Sequence, residues 1–295
     1  MGPLMVLLAL FLGVLPAGLL AQDSSGPART PDVHFVPTAV EVVQAMLTTA
    51  KVGKGDVVYD LGCGDGRLPI TAIKKYGASS GVCVDIDPVR IKESRRNADT
   101  AGVTSKMKFV NGDLFQTDLS SATVVTLYLL PMLNVRLRPK LFRELKPGTR
   151  VVSNSFDMGD WKADSTMTVK NEGGFSSYAY YWVIPADVAG TWKVSGAPGG
   201  GYTVRLEQQY QQVKGTAEGS DGRAITLEAP WVKGDSIGFT LRDGANQLRF
   251  GGTVQEEKMA GLASGGERKA GAWTASRVQR GPRPELADSA ASGSQ

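Results

Sequence analysis

Histidine and cysteine are scarce in this sequence, which holds one histidine and two cysteines among 295 residues. A single histidine excludes a multi-histidine metal site and argues against Ser-His-Asp catalysis, so we predict no metal and interpret His34 as structural. Two cysteines exclude a disulfide framework. Cys63 and Cys83 fall in or beside apolar runs, and we therefore interpret both as free, buried residues that act as small hydrophobes.

Long blocks of like charge are also missing. The net charge is only +4, and the Lys and Arg residues are scattered along the chain. This distribution is typical of a solvated surface rather than of a polyanion-binding one, so we expect no nucleic-acid partner.

The N-terminus is the most apolar part of the chain. Residues 1–21 carry no charged side chain and end in small residues that suit cleavage after Ala21. They resemble a secretory signal peptide, but they are also nearly long enough for a membrane anchor, which needs about 20 apolar residues. Both alternatives stay open, and residues 22–34 read as a polar linker. We expect an exported or periplasmic protein, or one anchored in the membrane on an undetermined side.

Two patterns follow the linker. Residues 35–187 alternate short apolar runs with helical stretches, which predicts an α/β domain of mostly parallel strands with right-handed crossovers. The helical stretch 134–145 is interrupted by Pro139. Residues 188–278 are short alternating runs separated by Gly-Asp and Asp-Gly turns, which predicts a small all-β meander or barrel. Residues 279–295 have no apolar period and are predicted to be disordered.

The stretch "VVYDLGCGDGR", residues 57–67, contains the clearest motif. A Walker A loop would need a closing Gly-Lys-Ser/Thr, and a dinucleotide loop would need the spacing G-x-G-x-x-G. Here Gly62, Gly64 and Gly66 alternate, and Asp60 and Asp65 would repel a pyrophosphate. The loop instead suits S-adenosylmethionine, because acids attract its ammonium and sulfonium while glycines allow close backbone approach.

Further acids at the ends of the next two strands fit the same ligand. Asp85 ends the second strand, where an acid accepts hydrogen bonds from ribose hydroxyls in nucleotide-binding sheets of this kind. Asp113 follows the third strand and is placed to accept from the adenine amino group, with Leu114 packing on the ring. We include Ile86 among the cofactor-binding residues. Asp87, just before Pro88, is interpreted as a helix N-cap.

The ordered motifs "YDLGCGDGR", "GVCVDIDP", "VNGDLF" and "VTLYLLP" resemble class I, seven-strand S-adenosylmethionine-dependent methyltransferases. "FVPTAVEVVQAML" and "LKPGTRVVSNSFDMGDW" narrow the resemblance to the group related to the ATP synthase c-subunit lysine methyltransferase and its prokaryotic relatives. The resemblance covers roughly residues 35–186. It implies a Rossmann-like seven-stranded sheet, with strand seven antiparallel beside strand five, followed by the small all-β domain.

The resemblance also implies a set of site residues. Thr38 and Glu41 match positions that close over the methionine end of the cofactor. Tyr128 and Pro131 belong to the segment that shapes the acceptor site, although Tyr128 suits the core equally well. Three more residues are candidates for the substrate mouth or for loop and core roles: Asn154, Asp157 and Trp161.

The function implied is methyl transfer from S-adenosyl-L-methionine to an acceptor. A protein lysine is the expected acceptor because the related enzymes methylate lysine, whereas the motif spacing itself does not identify the acceptor. Two alternatives remain. One is a small-molecule or lipid methyltransferase whose β domain forms a ligand pocket, and the other is a non-catalytic envelope protein that binds partners through the β domain. Five aromatic residues would either line such a pocket or pack in the core of the β domain: Trp192, Tyr202, Trp231, Phe239 and Trp273.

Overall fold

The computed structural model describes residues 30–170, 172–197, 200–265 and 268–283. The predicted signal peptide or anchor, residues 1–21, therefore lies outside the described residues, as does most of the predicted C-terminal tail. Within the described ranges, no helix has the length and apolar character needed to cross a membrane.

The first half of the chain alternates helices and strands, as its pattern predicts. The helices are α1 (Val40–Thr49), α2 (Arg67–Tyr76), α3 (Pro88–Ala101) and α4 (Pro131–Glu144). The strands are β1 (Val57–Leu61), β2 (Ser80–Asp85), β3 (Met107–Asn111), β4 (Val124–Leu127), β5 (Arg150–Asn154), β6 (Ser165–Lys170) and β7 (Ser176–Val183).

Helix α3 shows how local sequence sets these boundaries. Asp87 is its N-cap, and its carboxylate accepts a hydrogen bond from the backbone N–H of Val89 at 2.8 Å. Pro88 occupies the first turn, where its missing N–H costs nothing. Gly102 ends the helix in the left-handed conformation, which glycine adopts without strain.

These strands form one seven-stranded sheet in the order β3-β2-β1-β4-β5-β7-β6. The first five strands pair in parallel, whereas β7 runs antiparallel to both β5 and β6. The Rossmann-like fold with an antiparallel seventh strand beside the fifth is thus confirmed. The carboxyl ends of β1, β2 and β4 meet at one edge of the sheet.

Both faces of the sheet are covered, which explains the unbroken apolar run of β4. Val124 packs with the apolar faces of α1, α2 and α3 on one side. The next residue, Val125, points to the opposite side and packs with α4. Helix α4 continues through Pro139, contrary to the predicted interruption. Its buried Leu137 and Leu141 hold it against the sheet on either side of the proline.

The second half of the chain forms a closed barrel of eight antiparallel strands, which confirms the all-β domain. Its strands are β8 (Gly190–Ser195), β9 (Tyr202–Gln209), β10 (Gln212–Gly219), β11 (Ala224–Lys233), β12 (Ser236–Asp243), β13 (Asn246–Gln255), β14 (Lys258–Gly265) and β15 (Arg268–Arg280). Strand β15 extends two residues beyond the predicted end at residue 278, because it pairs with β8 up to Arg280. Four of the five candidate pocket aromatics fill the barrel core, and only Trp231 is substantially exposed.

The turn between β9 and β10 packs against the first sheet. The ring of Tyr210 lies 6.1 Å from that of Trp161, and its hydroxyl lies 2.8 Å from a carboxylate oxygen of Asp160. Trp161 donates its indole N–H to Gln211 at 3.0 Å. Trp161 is fully buried and also contacts Phe142, so it is a core residue and does not line a substrate mouth.

Candidate cofactor and acceptor site

A cavity of about 240 Å³ opens at the carboxyl ends of β1, β2 and β4. In open α/β sheets, ligands bind at this edge. Nine of the predicted site residues line the cavity: Thr38, Asp60, Gly62, Asp65, Asp85, Ile86, Asp113, Leu114 and Tyr128.

The alternating glycines give the loop after β1 its shape. Gly62, Gly64 and Gly66 all have positive φ, between 54° and 81°, which side chains with a Cβ rarely adopt. A Cβ on Gly64 would lie 2.0 Å from the ring of Phe35. The Gly64 N–H donates to the carboxylate of Asp85 at 2.9 Å. Gly64 and Gly66 therefore shape the loop rather than line the cavity.

Residues 30–36 form part of the cavity wall, which the sequence did not reveal. We predicted a linker up to residue 34, and residues 30–34 of that stretch lie on the cavity wall. His34, interpreted as structural, also lies on this wall. Phe35 covers Gly64, and the guanidinium of Arg67 donates to the Thr38 carbonyl at 2.7 Å. These are contacts across the fold, and no periodicity or cap in the segment signals them.

Asp60 is a buried acid that pairs with no cationic side chain among the described residues. It is 3% exposed, and Thr126 donates to its Oδ1 at 2.7 Å. Burial, together with the neighbouring carboxylates of Asp85 and Asp65, raises the pKa of Asp60 to about 7, against the opposing hydrogen bond from Thr126. A buried carboxylate of this kind suits a ligand that brings its own positive charge.

Asp65 differs from Asp60 although both belong to the same motif. Its carboxylate accepts hydrogen bonds from the Arg67 side chain, at 2.9 Å from Nε and 2.5 Å from Nη2. We expected Asp65 to attract the cofactor, but its charge is already paired within the protein. Its backbone carbonyl accepts from Asn97, which ties the loop to α3.

Asp85 lies at the end of β2 and is half-buried. Its oxygens accept from the N–H groups of Gly64 and Asp87, at 2.9 and 3.0 Å. Burial raises the pKa of Asp85, and these two hydrogen bonds oppose the shift. A carboxylate has about four acceptor positions, so Asp85 retains capacity for hydroxyl donors.

The end of β3 supplies the next part of the wall. Asp113 accepts from the Phe115 N–H at 2.9 Å, which fixes a turn that presents Leu114 and Phe115 to the cavity. The carbonyl of Ile86 accepts from Asn111 at 3.0 Å, so the two walls are linked. Two apolar side chains beside a carboxylate suit a planar heterocycle that carries an amino group.

Two further predicted residues lie outside the lining. Glu41 is half-buried on α1, and Pro131 is exposed at the start of α4. Their roles at the site stay predictions. Leu129 and Leu133, which the sequence did not single out, line the cavity near Tyr128.

The two cysteines form a disulfide, contrary to the interpretation of both as free. Cys63 belongs to the glycine loop and Cys83 to β2, so the bond joins the loop to the strand that carries Asp85. Both residues are buried, as predicted. The pairing depends on the loop folding back on β2, where the Cys63 N–H donates to the Val84 carbonyl at 3.0 Å.

Tyr128 leads from the cavity to a second group of residues. Its ring stacks on that of Phe156 with centroids 6.3 Å apart. Asp157 is exposed beyond Phe156, whereas Asn154 is 2% exposed and lies in the core. Of the three mouth candidates, only Asp157 is thus accessible.

This fold and cavity define a class I S-adenosylmethionine-dependent methyltransferase. The glycine loop, the buried Asp60 and the Asp85 carboxylate at the end of β2 meet where this class binds its cofactor. The carboxylates of Asp60, Asp65 and Asp85 line this cavity and disfavour a pyrophosphate at the loop.

Comparisons with known proteins place the chain more closely. The model of the ANTKMT methyltransferase domain matches residues 60–165. A protein-lysine N-methyltransferase from Saccharolobus islandicus (strain REY15A) is 46% identical over 154 residues, which cover 52% of this chain and 95% of that protein. The human lysine N-methyltransferase of the ATP synthase c-subunit is 31% identical over 146 residues, or 50% of this chain and 60% of that protein.

A solved structure, described as an RNA methyltransferase from Salinibacter ruber in complex with S-adenosyl-L-homocysteine, is 52% identical. The match covers 52% of this chain and 96% of that chain, with a TM-score of 0.48. On the match to the family model and to the Saccharolobus islandicus protein, the chain belongs to the family of methyltransferases that carry the ANTKMT methyltransferase domain, and its cofactor is S-adenosyl-L-methionine.

Proposed function

We propose that the protein methylates the side-chain nitrogen of a lysine in a protein acceptor. The observation that carries this proposal is the 46% identity to a protein-lysine N-methyltransferase, 95% of which is covered by the match. Tyr128 at the acceptor end of the cavity supports it, because an aromatic ring favours an approaching ammonium.

The cofactor would be held by the acids that line the cavity. Asp60 would pair with the ammonium of the methionine end, since its buried carboxylate has no cationic partner within the part of the chain that the structure describes. Asp85 would accept from the ribose hydroxyls, and Leu114 would pack on the adenine. Asp113 would accept from the adenine amino group. The Asp65–Arg67 ion pair would hold the loop in place rather than contact the ligand.

The bound cofactor supplies a methyl group on a sulfonium, so the protein needs no covalent chemistry of its own. The acceptor must approach in line with the carbon–sulfur bond, with its nitrogen about 3 Å from the methyl carbon. A lysine must first lose a proton, and withdrawal from water favours this by lowering its pKa. Tyr128 and Leu129 at the end of β4 would exclude water and orient the amine.

Methyl-labelled cofactor tests this proposal. The protein is incubated with the cofactor and with separated protein, RNA and lipid fractions of a cell extract, and labelled protein is digested for mass spectrometry. We expect mono-, di- or trimethyl-lysine in one or more proteins. Label confined to RNA or to lipid would refute the lysine acceptor but not the methyltransferase activity. Failure to bind the cofactor in calorimetry would favour a non-catalytic binding protein. Asp85→Ala serves as the inactive control.

We further propose that the protein is exported, or anchored so that this domain meets an oxidising compartment. The Cys63–Cys83 disulfide supports this, because disulfides are rare in reducing cytosol. The apolar N-terminal segment agrees with it. Protease accessibility in intact cells, combined with N-terminal sequencing, tests the proposal. A protease-protected chain with two free thiols in the cytosolic fraction would contradict it.

A further inference from the structure

The loop after β5 is held in one conformation beside the cofactor cavity. Ser155 has φ of +63°, which is costly for a residue with a Cβ and persists only where the surroundings enforce it. Its N–H donates to the Tyr178 carbonyl at 2.6 Å. The fully buried Asn134 donates to the carbonyls of Phe156 and Asp157, at 3.2 and 3.1 Å.

This anchoring presents one aromatic ring and one carboxylate on the acceptor side. Phe156 is half-buried and stacks on Tyr128, which lines the cavity. Asp157 is exposed, and one of its oxygens accepts from the Gly159 N–H at 3.0 Å. The loop thus extends the wall of the cofactor cavity outward from Tyr128.

Strand β7 supplies the opposite side of the same surface. Tyr178 and Tyr180 lie on one face of β7 with their rings 6.1 Å apart, and Tyr178 is 46% exposed. Asn154 at the end of β5 pairs with Ala179, which lies between the two tyrosines, and Tyr180 packs against the apolar cluster that contains Leu129 and Leu133 of the cavity wall. Both tyrosines therefore lie beside the start of the loop. Burial raises the pKa of Tyr180, and the charges of Asp157 and Tyr178 add to this shift. The surface therefore combines aromatic rings with a carboxylate.

Such a surface selects for charge. Aromatic faces attract ammonium groups, and a carboxylate attracts cations and repels phosphates. The four-carbon stem of a lysine would lie along the rings while its ammonium is drawn inward. A phosphodiester chain would meet the Asp157 charge instead.

We propose that Phe156, Asp157 and Tyr180 form the acceptor subsite, in which Asp157 guides a lysine ammonium across the rings of Phe156 and Tyr180 towards Tyr128. This inference rests on the proposed lysine acceptor. It assigns the specificity for lysine to Phe156 and Asp157 in the loop after β5 and to Tyr180 on β7. These residues contact the acceptor, whereas Asn134 and Ser155 are positioning residues that act through the loop.

The test uses n-butylammonium, a mimic of the lysine side chain, and the isosteric n-butanol. Each is titrated against the full chain saturated with S-adenosyl-L-homocysteine and followed by saturation-transfer NMR. We expect n-butylammonium to bind in preference to the alcohol. Asp157→Asn keeps an acceptor for the Gly159 N–H, and we expect it to weaken n-butylammonium binding roughly 2- to 5-fold, as for one solvent-exposed ion pair.

Two variants of Phe156 distinguish the contribution of its aromatic ring from that of the Asp157 charge. Phe156→Leu should weaken n-butylammonium roughly threefold or more, whereas Phe156→Tyr should keep wild-type binding. Asp118→Asn is the matched control, because Asp118 is exposed before β4, at the opposite edge of the sheet. Calorimetry of S-adenosyl-L-homocysteine should give wild-type affinity in every variant, which shows that the cofactor site is intact.

The outcomes distinguish this inference from the proposed function. Equal binding of the alcohol and the ammonium, or wild-type binding by Asp157→Asn, would overturn the subsite even if lysine methylation occurs. Once an acceptor protein is labelled, Asp157→Asn should raise its KM and leave kcat unchanged. A single-stranded oligonucleotide that binds more tightly to Asp157→Asn than to wild type, with no ammonium binding, would refute the inference in favour of a nucleic-acid acceptor.

Discussion

Asp60→Asn is expected to stabilise the cofactor-free protein and to weaken cofactor binding. The wild-type carboxyl is 3% exposed, and burial raises its pKa to about 7. An asparagine occupies the same volume, carries no charge, and still accepts the hydrogen bond that Thr126 donates at 2.7 Å. The variant therefore removes the cost of a buried charge and keeps its local partner.

The sign of the effect follows from proton linkage. In the unfolded chain an aspartate has a pKa of about 3.9, so the folded state binds this proton more tightly. The protonated carboxyl thus contributes stability below about pH 4, and this contribution is lost as the pH rises through 7. A shift of about 3 units corresponds to about 4 kcal/mol. The advantage of Asp60→Asn over wild type should therefore grow by roughly 3 kcal/mol between pH 4.5 and pH 8.

Cofactor binding should respond in the opposite direction. A hydrogen bond to a charged group contributes about 1.5–3 kcal/mol, so loss of the carboxylate should weaken S-adenosylmethionine roughly 10- to 150-fold at pH 8. If the ionised form of Asp60 binds the ammonium, wild-type affinity should fall about tenfold per pH unit below 7, and Asp60→Asn should show no such slope.

Urea unfolding at pH 4.5 and pH 8, together with calorimetry over the same range, measures both effects. Asp118→Asn is the control. The Asp118 carboxylate is exposed, so this variant should leave the affinity for the cofactor unchanged. If Asp60→Asn is less stable than wild type at pH 8, or if its free energy of unfolding differs from wild type by the same amount at both pH values, the assignment of a costly buried charge is refuted. Unchanged affinity would refute the pairing with the ammonium.

Four other changes test neighbouring parts of the site. Asp85→Ala should weaken cofactor binding roughly 10- to 150-fold. Asp87→Ala should cost about 1 kcal/mol of stability through loss of the N-cap and leave the affinity near wild type, so equal affinities of the two variants would contradict the role of Asp85 at the ribose. Gly64→Ala should reduce cofactor affinity and stability together, because its Cβ has no space under the overlying ring and φ is +54°; a wild-type melting temperature would contradict this. Reduction of the Cys63–Cys83 bond should lower the free energy of unfolding by about 3 kcal/mol, measured by urea unfolding with and without a dithiol reductant, and an unchanged midpoint would show that the bond does not contribute.

The disulfide also affects how the cofactor site is organised. It fixes the glycine loop to β2, next to the hydrogen bond between Gly64 and Asp85. The loop that shapes the cavity is thus held by a covalent bond as well as by backbone contacts. The same bond gives the proposed export of the protein a structural basis, since it would persist in an oxidising compartment.

Local patterns in the sequence were sufficient for most of the fold. Strand β1 and helix α3 could be predicted because apolar runs, Asp87 before Pro88, and Gly102 act within a few residues of the structure they specify. The alternating glycines and the acids at the strand ends likewise predicted the cofactor, since parallel strands bring their carboxyl ends to one edge.

Other features depend on segments that are distant in the sequence. The wall formed by residues 30–36, with Phe35 over Gly64, has no periodic signal because the contact forms only when the chain folds back on the glycine loop. The sequence also cannot show that Asp65 is paired with Arg67 while Asp60 is buried with no cation beside it in the described ranges, although both acids belong to the same motif. Sequence determined which chemical groups reach the site, and only tertiary packing decided which of their charges remain available to a ligand, because burial and pairing are properties of the folded surroundings.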